Sequence, residues 1–266
     1  MKLSIYTFVQ NGLFYDFHVV AMLRHHVPLA DEIVVVEGFS DDGTYEAISA
    51  IDPKIRILRA REQAGPDTWH RQFKNRARAA CTGDWCVLLD CDEFIPEWEF
   101  ERLRAFLRET DKLFVPVEFT HFYGNYKVYL ATLPRIVPLT GLRIHRNRPD
   151  VEVWGDGANV RLQNSDDLAP FVAASTFDVH HFGSVRNAAR LRQKWRTQAQ
   201  QHDAQNPRWT RVPSFVFNMF PHRWDDTDFL DRLAVYEGPY IKAVRDDPAE
   251  FTRDDFWLYE HLAANR

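Results

Sequence analysis

The sequence predicts an α/β protein: a mostly parallel sheet flanked by helices, followed by a helical C-terminal extension. Three observations carry this expectation. Apolar runs of strand length recur at residues 3–9, 33–36, 55–58, 85–89 and 113–117. Segments with helical spacing of apolar residues lie between them, which is the pattern of βαβ units. Two acids, Asp90 and Asp92, follow the fourth run, at the edge where open α/β sheets bind ligands.

Taken in order, residues 3–9 read as a first buried strand. Residues 13–27 read as a helix, with Leu13, Phe17, Val20, Ala21 and Val27 at helical spacing and Pro28 to end it. Ile33 to Val36 is a wholly apolar strand of the parallel-sheet kind. It runs into a turn, Gly38 to Thr44, and a helix over 44–50 that Asp42 or Ser40 can cap. Ile55 to Leu58 is the third strand. Residues 67–81 predict a basic helix carrying Arg71, Lys74, Arg76 and Arg78. Trp85 to Leu89 is the fourth strand, residues 97–109 a helix, and Leu113 to Val117 a fifth strand, where Pro116 favours a sheet edge. Residues 118–182 are aromatic, strand-forming and broken by Pro and Gly, so a mixed or antiparallel extension is expected. Helices are expected over 186–205, 227–245 and 254–264.

Composition narrows the function. A chain of 266 residues, 45% hydrophobic, is long and apolar enough for one well-packed domain and is not disordered by composition. The aromatic share, 14% with eight Trp and 20 Phe, is high, and such rings fill cores, the better expectation for any single one, or line carbohydrate and nucleotide sites. Cys81, Cys86 and Cys91 match neither a disulfide framework nor a zinc signature, so a reducing compartment is expected. No run reaches the ~20 apolar residues of a membrane span. The N-terminus reads as a strand, not as a signal peptide. The expected location is the cytoplasm, with peripheral membrane contact left open.

Charge is uneven. Between Gly183 and Trp224 eight Lys/Arg face one acid, Asp203, giving +7 in a chain of net −5. Phe119 to Pro149 holds Lys127, Arg135, Arg143, Arg146 and Arg148 with no acid. A solvated helix face explains such runs as well as an anionic partner does. In the first stretch Trp195, Trp209 and Trp224 interleave with the cations, which suits an anionic acceptor.

The chemistry centres on Val87 to Phe94. An apolar strand delivers Asp90 and Asp92 two positions apart. If the chain stays extended, both carboxylates leave on one side. Together they suit a hard divalent cation, Mg²⁺ or Mn²⁺, that would neutralise a departing diphosphate. An acidic turn capping the next helix is the plainer alternative.

Three segments carry a family resemblance. Val34 to Thr44 resembles the strand-turn-helix of family-2 glycosyltransferases, with Glu37 where an Asp is usual. Lys74-Asn75-Arg76-Ala77 resembles their basic helix, and Gly83 to Glu93 their metal-binding segment, in the same order and spacing. The resemblance covers roughly residues 1–120 and implies the GT-A fold of nucleotide-diphospho-sugar transferases, Rossmann-like and mostly parallel. It implies a nucleotide-sugar-binding half over 1–117, an acceptor-side half over 118–182 and the helical extension over 183–266. It also implies a metal-dependent glycosyltransferase that moves a sugar from a nucleotide-sugar, UDP-sugar favoured, to an acceptor hydroxyl. The acceptor would be a glycan, a lipid-linked sugar or a hydroxylated nucleic-acid base.

Specific residues follow from that frame. By position Glu37 would contact the nucleoside, with Thr7 and Gln10 lining the same pocket. Arg71 and Lys74 are candidates for the nucleobase or phosphate side, beside Asp90. His181, before Phe182-Gly183, resembles a His that helps to bind metal or diphosphate in some related enzymes, making the metal set Asp90, Asp92 and His181. Arg186 and Lys194 are placed to pair with phosphate. An inverting transferase needs a carboxylate base. Asp156, between two glycines, is the candidate, with Glu152 in reserve, although related sequences have His-Glu where this one has Ala158-Asn159. Two other functions fit the scaffold. Nucleotidyl transfer would call for a Gly-rich basic loop after the first strand, where Val9 to Leu13 has one glycine and no base. A non-catalytic nucleotide-sugar-binding module would show ligand binding without turnover.

Overall fold

The structure, a computed structural model, describes residues 1–61, 69–132, 140–155, 157–165, 167–205, 223–226 and 230–265. Asp156, Arg135, Arg208, Trp209 and Arg211 lie outside the described residues.

The first half alternates strand and helix: β1 (Leu3–Val9), α1 (Val19–His26), β2 (Glu32–Glu37), α2 (Thr44–Ser49), β3 (Ile55–Arg59), α3 (Trp69–Ala79) and β4 (Trp85–Leu88). β1 pairs in parallel with β2 and β4, and β3 continues the parallel sheet beyond β2. Side chains alternate across these strands with period two. Ile5, Ile33, Val35 and Val87 therefore pack on one face with Met22 and Leu23 of α1. Tyr6, Val34, Val36, Cys86 and Leu88 pack on the other with Phe73 and Ala77 of α3.

The second half is mixed, as expected. It comprises β5 (Glu93–Phe94), α4 (Phe100–Glu109), β6 (Phe114–Tyr123), β7 (Asn125–Leu130), β8 (Thr140–Arg146), β9 (Val151–Trp154), β10 (Asn159–Leu162) and β11 (Phe177–Ser184). β8 joins the halves, antiparallel to both β4 and β6. β11 runs parallel to β6 and antiparallel to β5. β9 and β10 form a separate hairpin, held to α3 by Asn75: its Nδ2 donates to Val153 O at 3.1 Å and its Oδ1 accepts from Val153 N at 2.8 Å. After β11 come α5 (Ala188–Gln205), β12 (Leu233–Val235), α6 (Lys242–Asp246) and α7 (Trp257–Ala264).

Three local expectations are corrected. Pro116 does not mark an edge: β6 pairs with β7, β8 and β11, and a register shift against β8 between Val115 and Pro116 absorbs the missing N–H. The first helix starts at Val19, not Leu13. Asn11 and Asp16 are left-handed, and Asp16 is held by tertiary partners, accepting from Asn187 N at 2.7 Å and from Arg253 Nε at 2.8 Å. Within 227–245, the described part is not one long helix. Leu233–Val235 is a strand that pairs antiparallel with β7 and extends the main sheet. It packs there because Leu233 reaches a third apolar cluster with Tyr123, Val128, Leu191, Trp224 and Leu258. Among the described residues, no helix is long and apolar enough to cross a membrane.

Candidate functional site

β4 ends at Leu88 and the chain turns at once. Glu93 N donates to Asp90 O at 3.1 Å, and Asp90 N donates to a Glu93 carboxylate oxygen at 2.8 Å. The backbone through Asp90-Cys91-Asp92 is therefore a turn, not the extended strand that the spacing suggests. Cys91 faces the sheet: its thiol donates to Phe8 O at 3.1 Å and lies 3.8 Å from Thr7 Oγ1. Thr7, fully buried, thus backs the motif. On the far side Phe182 N donates to Asp92 O at 2.8 Å, tying the turn to β11.

With the turn so fixed, Asp90 and Asp92 face different cations. Lys74, buried on α3, places Nζ 2.5 Å from Asp90 Oδ1 and donates to Gly157 O at 2.8 Å. Arg143, buried on β8, lies 3.5 Å from Asp90 Oδ2 and 2.7 Å from Glu93 Oε1. Burial disfavours the Asp90 carboxylate, but Lys74 and Arg143 outweigh it and hold its pKa down at about 2. Glu93 goes the other way: burial, and then Asp90 nearby, raise its pKa against the pull of Arg143.

Asp92 is buried to 2% exposure and pairs with the fully buried Arg186. Lys194 Nζ is 4.0 Å from the same carboxylate oxygen, and His181 Nε2 is 3.5 Å from the other. Burial opposes ionisation here too, yet Arg186 and His181 hold the carboxyl well below its ordinary range. Arg186 also donates to Gly183 O and Tyr15 O and stacks on Phe17. Burial beside Arg186 lowers Lys194 to about 8. His181 Nδ1 lies 2.6 Å from His121 Nδ1 on β6.

The remaining predicted residues are placed as follows. Glu37 is buried, with one oxygen accepting from Ser40 N at 2.5 Å and the other from Arg59 Nε at 2.8 Å, so both oxygens already have protein partners. Gln10 donates to Gly38 O at 2.9 Å. Arg71 lies over the ring of Trp154 at 5.0 Å, against the hairpin. Glu152 accepts from Arg161 Nε at 2.8 Å. Asp156 is outside the described residues, while Gly155 and Gly157 on either side are left-handed. Lys74 is thus the residue that joins the Asp90 turn to the hairpin beside Asp156.

Three site residues escaped sequence reasoning: Arg143, Glu93 and His121. Glu93 stands next to the motif, so its adjacency was visible. Arg143 and His121 sit on strands distant in sequence and carry no local signal.

The donor set suits a hard divalent ion in chemistry and partly in geometry. Two ligands of one ion, each about 2.1 Å away at a right angle, stand about 3 Å apart; Asp92 Oδ1 and His181 Nε2 are 3.5 Å apart. Asp90, two residues before Asp92, is engaged by Lys74 and Arg143. Asp90, Asp92 and His181 come to one turn, not to one point, and among the described residues no three His, Cys, Asp or Glu side chains converge on a metal position. An ion could take Asp92 and His181 nearly as they stand, and Asp90 only by displacing Lys74. Four cations, Lys74, Arg143, Arg186 and Lys194, line a turn bearing three carboxylates, one of them with a raised pKa. That balance favours an anionic ligand.

A family model described as "Glycosyl transferase family 2" matches residues 19–160, which runs from α1 into the start of β10 and contains Glu37, Lys74, Asp90 and Asp92. No match was found among curated proteins. Among solved structures, S. aureus TarS 1–349 in complex with UDP-GlcNAc is 14% identical at a TM-score of 0.44, covering 82% of this chain and 70% of that one. S. aureus TarS at greater length is 12% identical at 0.45, covering 82% and 42%. Glucosyl-3-phosphoglycerate synthase from Mycobacterium tuberculosis with Mn²⁺ and UDP-glucose is 20% identical at 0.35, covering 44% and 43%. The chain thus spans less than half the length of the last two.

Proposed function

The chain belongs to glycosyl transferase family 2 and is a glycosyltransferase; from that premise we propose that its donor is a nucleotide-sugar, a UDP-sugar first among them, and that Mn²⁺ or Mg²⁺ assists at the Asp90-Cys91-Asp92 turn. The observation that carries this is the turn itself. It lies at the carboxyl edge of the parallel strands, inside the matched region, with two ionised carboxylates inside a ring of four cations.

Asp92 and His181, with Asp90, would hold the ion, which would supply positive charge to the leaving diphosphate. The protein's own part is to bind and orient. Lys74 and Arg143 on one side, and Arg186 and Lys194 on the other, offer charge-assisted hydrogen bonds to phosphate oxygens. Thr7, Gln10, Glu37 and Arg71 remain our candidates for the nucleoside side, Glu37 acting through the Arg59 and Ser40 that it binds. A base must take the proton of the acceptor hydroxyl as that oxygen attacks the anomeric carbon and the nucleoside diphosphate departs. We place it on the hairpin: Asp156 first, whose neighbour Gly157 is bonded to Lys74, and Glu152 second. The surplus of basic residues favours an anionic acceptor, whether a lipid-linked phosphosugar, a glycan precursor or a nucleic acid with a hydroxylated base. Three free, buried thiols suit a reducing, cytoplasmic setting.

The test is thermal shift with UDP-, GDP-, CMP- and dTDP-sugars, with and without Mn²⁺. A metal-dependent rise with a UDP-sugar, abolished in Asp92→Ala, is expected. An Asp92→Ala protein that turns over every donor like the wild type would sink the assignment.

A further inference from the structure

A run of aromatic side chains lies beside β11, β7 and the segment after β12, and the transfer turn uses none of it. We infer that this run is a second binding site and that its ligand is a neutral oligosaccharide, whose sugar rings lie on the aromatic rings. The inference stands apart from the donor and metal readings and is tested without either.

Neighbouring residues of a strand point to opposite faces. On β11, His181 turns to Asp92 and His121, while His180 turns the other way, to Trp98, Phe122 and Tyr236. The run begins there. Ring centroids step from Trp98 to His180 at 5.8 Å, to Tyr236 at 5.7 Å, to Tyr240 at 6.0 Å and to Tyr126 at 4.9 Å. Tyr129 joins it at Tyr236, 6.0 Å away. Asp178, two residues before His180, shares its face of β11. Burial raises the Tyr236 hydroxyl to about 12, and the nearby Asp178 carboxylate adds to that rise.

The four tyrosines pack their rings against the main core and stay only half-buried, and Trp98 is 40% exposed. Among the described residues no hydrogen bond engages Trp98 Nε1 or the hydroxyls of Tyr126, Tyr129 and Tyr240. A pyranose ring has the complementary build, with apolar C–H faces and a rim of hydroxyls. The aromatic rings suit the faces; Nε1, the free hydroxyls and Asp178 suit the rim. Charge selects a neutral ligand. Arg245 and Lys242, near Trp98, are paired with Glu97 and Asp246. Asp178 is exposed and makes no ion pair among the described residues, so an anion would meet an uncompensated carboxylate. The transfer turn, lined by Lys74, Arg143, Arg186 and Lys194, has the opposite character. The surface is also preformed, which lowers the cost of binding. The Tyr236 hydroxyl donates to Pro239 O at 3.2 Å and lies 3.3 Å from His180 Nε2. Glu97, beside Trp98, accepts from Lys242 N at 2.9 Å and from Arg245 at 2.6 Å.

The experiment is calorimetric titration of the whole protein with cellohexaose, chitohexaose, maltohexaose and mannohexaose, in EDTA and without nucleotide. Millimolar binding of at least one is expected. Trp98→Ala should weaken it about 10-fold or more, the order for truncating an aromatic anchor. Asp178→Ala should weaken it about 10-fold, the order for a hydrogen bond to a charged group. Both side chains are exposed, so melting temperatures should stay near that of the wild type. Trp154→Ala, on the hairpin beside the transfer turn and 43% exposed, should bind like the wild type. A wild type that binds none of the four overturns the inference, whatever its response to UDP-sugars. Binding that is lost in Trp154→Ala but kept in Trp98→Ala and Asp178→Ala also overturns it, because the sugar then sits at the transfer site. So does a wild type that sediments as a dimer beside a monomeric Trp98→Ala, because a second copy of the chain then covers the patch. Sugar binding that follows Trp98 and Asp178, in a protein that no UDP-sugar stabilises, would sustain this site and sink the donor reading alone.

Discussion

Lys74 and Asp90 form an ion pair, Nζ to Oδ1 at 2.5 Å, with the lysine buried and the carboxylate partly exposed, and the same ammonium donates to Gly157 O at 2.8 Å. One side chain from α3 thus links the acidic turn at the end of β4 to the turn of the β9–β10 hairpin. An ion competing for Asp90 must compete with Lys74.

Lys74→Met removes that competitor. Apparent Mn²⁺ affinity should rise several-fold, because Asp90 is then countered only by Arg143. Stability should fall by about 1 to 2 kcal/mol, less than for a fully buried pair, because Asp90 is partly exposed and keeps Arg143. Calorimetric Mn²⁺ titration and urea denaturation in EDTA measure the two effects. Unchanged or weaker Mn²⁺ binding would show that Lys74 does not stand in the ion's place.

Arg186→Met should cost a similar amount, about 3 kcal/mol, since it leaves Asp92 charged and buried with only His181 and the more distant Lys194 for company. Because Arg186 also bonds Gly183 O and Tyr15 O, protease should then cleave first near residues 11–18. A protein of wild-type stability would mean that Asp92 is less dependent on Arg186 than its burial implies.

Acid should destabilise the protein in a window set by neutral histidines. Burial lowers His145 to about 4; its Nδ1–H donates to Arg146 O, and its Nε2 accepts from Tyr6. Burial holds His26 well below the usual value, with Nδ1–H on Met22 O and Nε2 accepting from Ile95 N. Their native pKa values lie below the unfolded value of about 6.5. Below that pH the unfolded chain takes up protons that the native state refuses, so stability falls as pH drops from 6.5 toward 4. His145 alone accounts for about 3 kcal/mol by pH 4. Asp90, depressed to about 2, adds its loss only below about pH 4. Urea midpoints at pH 7.5, 6.0 and 4.5 test this; a flat profile down to 4.5 would contradict it.

Gly83→Ala should destabilise by about 2 kcal/mol. A Cβ there would lie 2.6 Å from Ser4 Oγ, 2.8 Å from Ser4 N and 2.9 Å from Lys2 O, and two of those atoms are backbone of the central strand's approach. Gly238→Ala is the comparison: the three atoms nearest its Cβ all belong to the Tyr236 side chain, which can move where backbone cannot, so it should cost less.

The parallel half was legible because Ile33 to Val36 and Trp85 to Leu88 are wholly apolar, and only a strand buried on both faces needs that. The acidic turn was legible for the same reason: apolar residues stop and carboxylates begin. Pro116 misled, because a proline's missing N–H can be hidden at a register shift inside a sheet as well as at its edge. Leu233 to Val235 misled because three residues are too few to show period two, and their conformation comes from β7. The shape of the turn at Asp90 was hidden too, since the Glu93 carboxylate that closes it acts on backbone. Arg143 could be read only as one cation of a basic stretch, and His121 not at all. Each matters only through a strand neighbour brought in from 50 or 60 residues away.

β12 lends itself to a different consideration. Its three residues cover Val128, Tyr129 and Leu130 of β7, whose outward N–H and C=O groups would otherwise present a ready template to another chain. A strand so short offers little edge of its own. Shortening the protein ahead of Leu233 would therefore do more than strip Ile241, Val244 and Phe251 from the core: it would uncover a sticky rim, and the expected symptom is self-association during expression on top of a lowered melting point.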